Sequence, residues 1–587
     1  MVLAGVLFAG PAAADSHAIA MHGEPALPEG FAHFPHVNPD APKGGELVLS
    51  RNGSFDSFNP FTLKGNPVFG LTNVFESLLA RAPDEPFTLY GLLAKSLAVA
   101  EDRSWIEFTL DERARFQNGQ PVTADDVIFS YEWLRERGRP NHRAYYSNVE
   151  RVERLSERRL RFVFKPDAGR EIPLIMGFMP VLPKSHYGDG RLERSGLDLP
   201  VGSGPYKVGR HDQGRFVTYV RDPDYWGRDL PVNRGRHNFD RIRYEYFRDQ
   251  ISAFEAFKTG LVDVWLESDP VRWERSYNFP AIRKGEIQRA EILHGRAIGM
   301  YGFAFNTRRP IFADRRVRHA LALTLDFDAL DRVFFGGAYE RTASFFENSE
   351  LAGQGSAGPV ERRLLAAFPG AVDPVILESG YQPPATDGRG LNRDSMMAAT
   401  ALLKEAGWVI RDLKLVNIEN GEPFAFEILV NSGAQQRLAL AYGDWLKRLG
   451  IDVRVRRVEA AQYQQRLQDY DFDMILRQWG ASLSPGNEQN FYWSSEAAEQ
   501  PGTRNYPGIQ QEAVDRLIET IVDAETREEL IAATRALDRV LLSGWYVVPL
   551  FYHPVDLVAY SSRLRRPDKP SLKGVTFDSW WSAEGED

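Results

Sequence analysis

Cysteine is absent from the 587 residues. That excludes disulfides, thiolate metal sites and cysteine nucleophiles, and a lipid tether on an N-terminal cysteine is not expected either. An excess of positive charge is also missing. Seventy-one Lys and Arg against 80 Asp and Glu give −9 at pH 7, and a phosphate backbone selects a basic surface, so nucleic acid is not expected as a partner. The usual catalytic signatures are lacking: there is no G-x-S-x-G elbow, no H-E-x-x-H and no G-x-x-x-x-G-K-[ST] loop. The 11 histidines are scattered. His33 and His36 stand close together, but no carboxylate cluster lies near them in sequence, and a metal site needs a specific ligand set. Asp125-Asp126 reads as negative charge favoured at a helix start. Asp469, Asp471 and Asp473 read as the solvated side of a strand rather than calcium ligands. No cofactor, no metal and no enzymatic activity are expected.

Long apolar runs are scarce as well. Only the N-terminus, MVLAGVLFAGPAAADSHA, has the look of a targeting segment. A short apolar run is followed by small residues at Pro11 to Ala14, as in a secretory signal peptide over 1–14, and it is too short to span a bilayer. It lacks the positive leading region of such peptides, so a loose apolar N-terminus is the alternative. The expectation is an exported, soluble chain.

What is present is a packable sequence: 43% hydrophobic and 12% aromatic residues, too rich for disorder. Glu46–Ser50 alternates as a strand, and Leu71–Leu79 reads as a short helix. In 104–138, Trp105, Glu107 and Thr109 alternate with Ile106, Phe108 and Leu110. A turn at Phe116–Gly119 follows, then Thr123 and Asp126 at capping-box spacing before a helix carrying Val127, Phe129, Tyr131 and Leu134. Residues 150–164 form a second strand pair. Gly202–Tyr206 is a tight loop leading into two strands. A helix is predicted from Asp314 to Leu323, and 348–393 reads as loop because Gly, Pro and Ala crowd it. Glu427–Val430, Gln435–Leu449 and Ile451–Val458 spell strand, helix and strand, the signature of a parallel pair in an α/β layer. Asp471–Leu476 reads as a strand, 525–543 as a helix and Trp545–Tyr552 as a last apolar strand.

Several blocks resemble one family in order and spacing. They are LAKSLAVAEDRSWIEFTLDERARFQNGQPVTADDVIFSYEWL (93–134), VGSGPYKV, RDPDYW, AFKTGLVDV, FNTRRPIFADRRVRHALALTLD, LLKEAGW, LKRLGIDVRVRRVEAAQYQQRL and VVPLF. Together they resemble the family 5 extracellular solute-binding proteins, the dipeptide and oligopeptide receptors of ABC importers. SFDSFNPFTLKG, DEPFTLYGLLA, SFFENSELA and WGASLSPGNEQ look like the Yej-type subgroup, associated with import of oligopeptides, formylated antibiotics of the microcin C type and murein peptides. The resemblance implies an α/β, two-lobed, type II periplasmic binding fold with an extra subdomain. Lobe I would use 43–66, 198–301 and 553–580, the subdomain 67–197 and lobe II 302–552, with a hinge at 301–306 and 549–554. It further implies a monomer in a Gram-negative periplasm, an oligopeptide ligand, and an inner-membrane permease with its ATPase subunits as partners.

The resemblance also implies a site. The segment after strand 471–476 would offer backbone groups of Gly480, Ala481 and Ser482 to an extended peptide. Trp479 would wall a side-chain pocket, and Ser54, Phe55 and Asp56 would form the opposing segment. Phe491 and Trp493 could serve the ligand or the core. Arg477, Arg504 or another of several arginines would meet the ligand's carboxylate. Peptide receptors of the family place an Asp shortly after this Trp to pair with the free α-amino group. Here Ala481, Ser482 and Leu483 stand instead. Either the ligand's N-terminus is blocked, or Glu488 takes over the anchor, since a buried ammonium without a partner is costly. Rival readings are a different solute such as an oligosaccharide or metal chelate, a secreted hydrolase, and an envelope chaperone.

Overall fold

A computed structural model describes residues 14–194, 196–390 and 392–585; nearly all of the expected signal segment 1–14 lies outside them. The chain divides into two compact units. The first takes the chain up to Ser268, Ser276–His294 and the stretch from Asp556 onward; the second takes Asp269–Arg275 and Gly295–Val555.

The first unit is built on a seven-stranded sheet with the order Ile287–Leu293, Val555–Ser561, Val264–Glu267, Glu46–Asn52, Arg241–Phe247, Phe216–Arg221, Tyr206–Asp212. The three central strands run parallel, and their neighbours on either side run antiparallel. Burial along Glu46–Asn52 alternates as the sequence pattern predicts, with Leu47 and Leu49 buried and Glu46, Val48 and Ser50 partly covered. A four-stranded antiparallel sheet, Ala94–Val99, Trp105–Leu110, Arg159–Phe164 and Val149–Arg154, has a core of its own with helix Ala124–Arg137. Asp126 caps that helix: its carboxylate accepts from Thr123 N at 2.9 Å and from the Thr123 hydroxyl at 2.7 Å. Glu107 sits buried in the predicted alternation because Arg159 and Arg161 close over its carboxylate.

The second unit is built on a five-stranded sheet, ordered Asp452–Arg457, Ala425–Val430, Met474–Trp479, Met300–Phe305, Val547–Pro549. The first three are parallel and the last two antiparallel to their neighbours. The predicted strand–helix–strand unit is there, with helix Gly433–Leu446 between the parallel strands and Gly450 ending it at φ 79°.

Four expectations need correction. Leu71–Leu79 is one 3₁₀ turn, Leu71–Asn73, followed by strand Leu79–Arg81; its apolar residues serve two different cores. The stretch 348–393 holds helices Pro359–Leu365 and Pro374–Ser379. Each proline stands at the first helical position, where its missing N–H costs nothing. Strand Met474–Trp479 starts three residues later than predicted. Asp471 and Asp473 precede it, and Asp473 accepts from Glu427 N at 2.9 Å. The stretch 545–552 is split into Val547–Pro549 and Phe551–Tyr552, and Val555–Ser561 follows as a further long strand. Pro549 cannot donate, and Leu550 N turns to Tyr301 O at 2.9 Å.

Among the described residues no helix is long and apolar enough to cross a membrane, and no group of three or more His, Cys, Asp or Glu could hold a metal ion. His36 has a carboxylate partner that its sequence neighbours do not show, Asp84 at 2.7 Å.

Candidate functional site

In open α/β sheets, ligands gather beyond the carboxyl ends of parallel strands. Each unit has such an edge, made by different residues.

In the second unit the edge follows Trp479. The Trp479 ring is 1% exposed and packs on Trp493 at 5.2 Å and Tyr506 at 5.9 Å. Its Nε1 donates to Arg504 O at 3.0 Å. The ring is therefore core and fixes the strand end from below, rather than standing as a pocket wall. Trp493 is core too, packed on Phe345 at 5.0 Å, whereas Phe491 is 44% exposed.

Beyond Trp479 the chain leaves the ladder. The backbone N–H and C=O groups of Gly480, Ala481 and Ser482 make no hydrogen bond among the described residues. Gly480 is exposed, and a Cβ on it would meet nothing within 4 Å. Gly299, at φ 80°, lies behind this segment; a Cβ there would come within 2.1 Å of Trp479 O. Only glycine permits that approach. The sequence reading missed Gly299, because no motif surrounds it.

Arg477 and Arg504 are occupied differently. Arg477 donates from Nη2 to the Tyr506 hydroxyl at 2.9 Å, and its buried Nε has no partner among the described residues. Arg504 is exposed and donates to the Tyr492 hydroxyl at 3.2 Å. The Glu488 carboxylate accepts from Gly486 N at 3.1 Å and from Gln489 Nε2 at 3.1 Å. It is thus held by its own loop, opening the short helix Glu488–Trp493. A second carboxylate, Glu347, is buried nearby. It accepts from Ala343 N at 2.6 Å and Asn348 N at 3.2 Å, and burial raises its pKa. It lies within the SFFENSELA block.

In the first unit Ser54 and Asp56 are exposed, whereas Phe55 is 1% exposed, with its ring 5.0 Å from Tyr246. Part of this segment is engaged by Asn66: Asp56 N donates to Asn66 O at 3.0 Å, the Asp56 carboxylate accepts from Asn66 N at 2.5 Å, and Asn66 Nδ2 donates to Ser54 O. The N–H of Ser54, both backbone groups of Phe55 and the C=O of Asp56 have no partner among the described residues, and neither do the backbone groups of Leu63, Lys64 and Gly65, with Leu63 71% exposed.

A sequence model of the bacterial extracellular solute-binding proteins, family 5 Middle, matches residues 88–501. The chain belongs to that family. It is 46% identical, over 97% of its length and 94% of the relative's, to a putative binding protein of Brucella suis. It is 40% identical to the peptidoglycan-binding protein YepA of Agrobacterium fabrum, over 97% and 95% of the two chains. It is 38% identical to the probable peptide-binding protein YejA of the same organism, over 96% and 93%. Among solved structures it is similar to the Bacillus subtilis oligopeptide-binding protein AppA in complex with a nonapeptide, with a TM-score of 0.60 at 21% identity over 92% and 100% of the chains. It is likewise similar to Brucella suis NikA in complex with Fe(III)-EDTA, with a TM-score of 0.65 at 20% identity over 91% and 97%. The fold is the two-lobed type II class of these binding proteins. The family and these relatives are binding proteins rather than enzymes.

Proposed function

We propose that this chain is the solute receptor of an ABC importer for oligopeptides, and that it favours peptides whose N-terminus is blocked, as in formylated or murein-derived peptides. It would act in the periplasm and hand its ligand to a permease with ATPase subunits. The observation that carries the reading is the row of unpaired backbone groups at Gly480–Ser482. An extended peptide completes such a row by strand addition, which holds any sequence through its main chain. The preference for a blocked end rests on charge. Ala481, Ser482 and Leu483 offer no anion to an ammonium, and the Glu488 carboxylate is engaged by its own loop. The relatives named for peptide and peptidoglycan binding support the same solute class.

The test is calorimetric titration with formyl-Met-Leu-Phe and with unformylated Met-Leu-Phe, in the wild type and in Glu488→Gln. The formylated peptide should bind at least about tenfold tighter, because an unpaired ammonium at the site costs more than about 1.4 kcal/mol. Glu488→Gln should leave both affinities within about twofold, less than 0.5 kcal/mol. Tighter binding of the free amine, lost in Glu488→Gln, would overturn the blocked-end reading in favour of Glu488 as anchor.

A further inference from the structure

A cavity of about 310 Å³ opens on one face of the first unit's sheet, toward the carboxyl ends of strands Glu46–Asn52 and Val264–Glu267. Its walls are mostly apolar and aromatic: Leu49, Phe69, Tyr244, Trp265, Leu266 and Phe577. That size and lining suit a small-molecule site. One cation stands among them, Arg51.

Arg51 is an unusual arginine for its surroundings. Its guanidinium lies 3.2 Å from the centre of the Phe69 ring. It makes no hydrogen bond or ion pair with any described residue, and its Nε is fully enclosed without a partner. Elsewhere in this unit Arg236 meets Asp578 at 2.6 Å and Arg563 meets Asp263 at 2.5 Å, and Arg221, whose Nε likewise lacks a partner among the described residues, still pairs through Nη2 with Asp240 at 2.5 Å. Burial lowers the Arg51 pKa, while neighbouring Tyr244 and Tyr246 raise it.

The group covering it is held in place. Phe69 N donates to the Tyr246 hydroxyl at 2.9 Å, and the Tyr219 hydroxyl donates to Phe69 O at 2.7 Å. The Phe69 ring meets Tyr244 edge-on at 5.2 Å, yet the residue stays 45% exposed. Two tyrosine hydroxyls thus clamp the backbone of a half-exposed phenylalanine whose ring stacks on a guanidinium. A stacked guanidinium keeps its N–H edge free and is pre-organised for a planar anion. An orphaned enclosed donor is otherwise a net cost to the fold.

We propose that Arg51, stacked on Phe69, is a carboxylate-binding residue for the solute, with the cavity beside it taking the apolar group next to that carboxylate. In a peptide this is the C-terminal carboxylate and the last side chain. The inference deepens the peptide reading above and rests on it for the identity of the solute, but not for the chemistry of the site.

Two probes separate the two claims. In the first, formyl-Met-Leu-Phe is compared with its C-terminal amide in the wild type, Arg51→Gln and Arg51→Lys. A charge-assisted contact predicts at least about tenfold weaker binding of the amide to wild type. Arg51→Gln should bind acid and amide alike, and Arg51→Lys should retain part of the preference. In the second, hexanoate is titrated against the Arg51 Nε–H signal in the ¹⁵N spectrum of the wild type, assigned by its loss in the variants. A saturable shift, absent for hexanol, is expected whether or not the tripeptide binds. If the peptide fails and hexanoate shifts Arg51, the peptide reading falls and the carboxylate site stands. Equal binding of acid and amide to wild type overturns the proposal, as does an acid preference that survives in Arg51→Gln. So does an Arg51 signal that hexanoate does not move. If Arg51→Gln does not fold, the two wild-type comparisons decide.

Discussion

At the scale of single residues, types are legible in the sequence and environments are not. Trp479 announces itself as a landmark, but its spacing cannot tell a pocket wall from a core ring; the contacts with Trp493 and Tyr506 decide that it is core. Phe491 and Trp493 are two positions apart and take opposite fates, because one short helix turns them to opposite sides. Arg51 and Phe69 are 18 positions apart and become a pair only through the fold. Buried carboxylates are likewise invisible in the sequence. Glu76 accepts from Tyr225 and from Trp226 Nε1, and burial pushes its carboxyl from about 4.5 to about 7. The folded state therefore holds this proton more tightly than the unfolded chain does. Its favourable contribution is fully present below about pH 4.5 and is lost as pH rises through about 7. Glu76→Gln carries no such proton. The stability difference between wild type and Glu76→Gln should shift against the wild type from pH 4.5 to 7, by on the order of 3 kcal/mol. Denaturant titrations at several pH values check this, and parallel profiles would contradict it.

At the scale of elements, the sequence is read best where one periodicity holds and a cap closes it. The strand–helix–strand unit around 425–457 is visible because alternation, a 3.6-residue period and a stopping glycine follow one another. The stretch 348–393 misleads because Pro and Gly usually punctuate loops, whereas here they open and close short helices. What holds those helices is also non-local. Arg539, fully buried in helix Arg527–Ser543, meets Glu361 at 2.8 Å and donates to Ile376 O at 2.7 Å. In the same helix Asp538 accepts from Phe345 N at 2.7 Å and Gly353 N at 2.9 Å. Removing one member of a buried pair strands the other charge, which costs about 3–5 kcal/mol. Arg539→Met should therefore destabilise the second unit by about that amount, and Arg539→Met with Glu361→Leu should recover much of it. Differential scanning calorimetry of the three proteins tests this; an additive double variant would contradict it.

At the scale of the whole molecule, the sheets of both units follow from ordinary α/β rules: in the first unit antiparallel strands flank a parallel centre, and in the second they extend one side of a parallel trio. The family is legible because many weak blocks keep their order along the chain, and its model matches residues 88–501. The solute is less legible, because strand addition reads the ligand's main chain and leaves little trace in side-chain identity. The site appears in the sequence chiefly as missing charge: no anion stands at 481–483. The most direct measurement is to purify the protein natively, release its ligand by mild denaturation and analyse the released material by mass spectrometry. The account predicts peptides with formyl, lactyl or otherwise blocked N-termini and free C-terminal carboxylates. A released glycan or metal chelate, with no peptide, would contradict it.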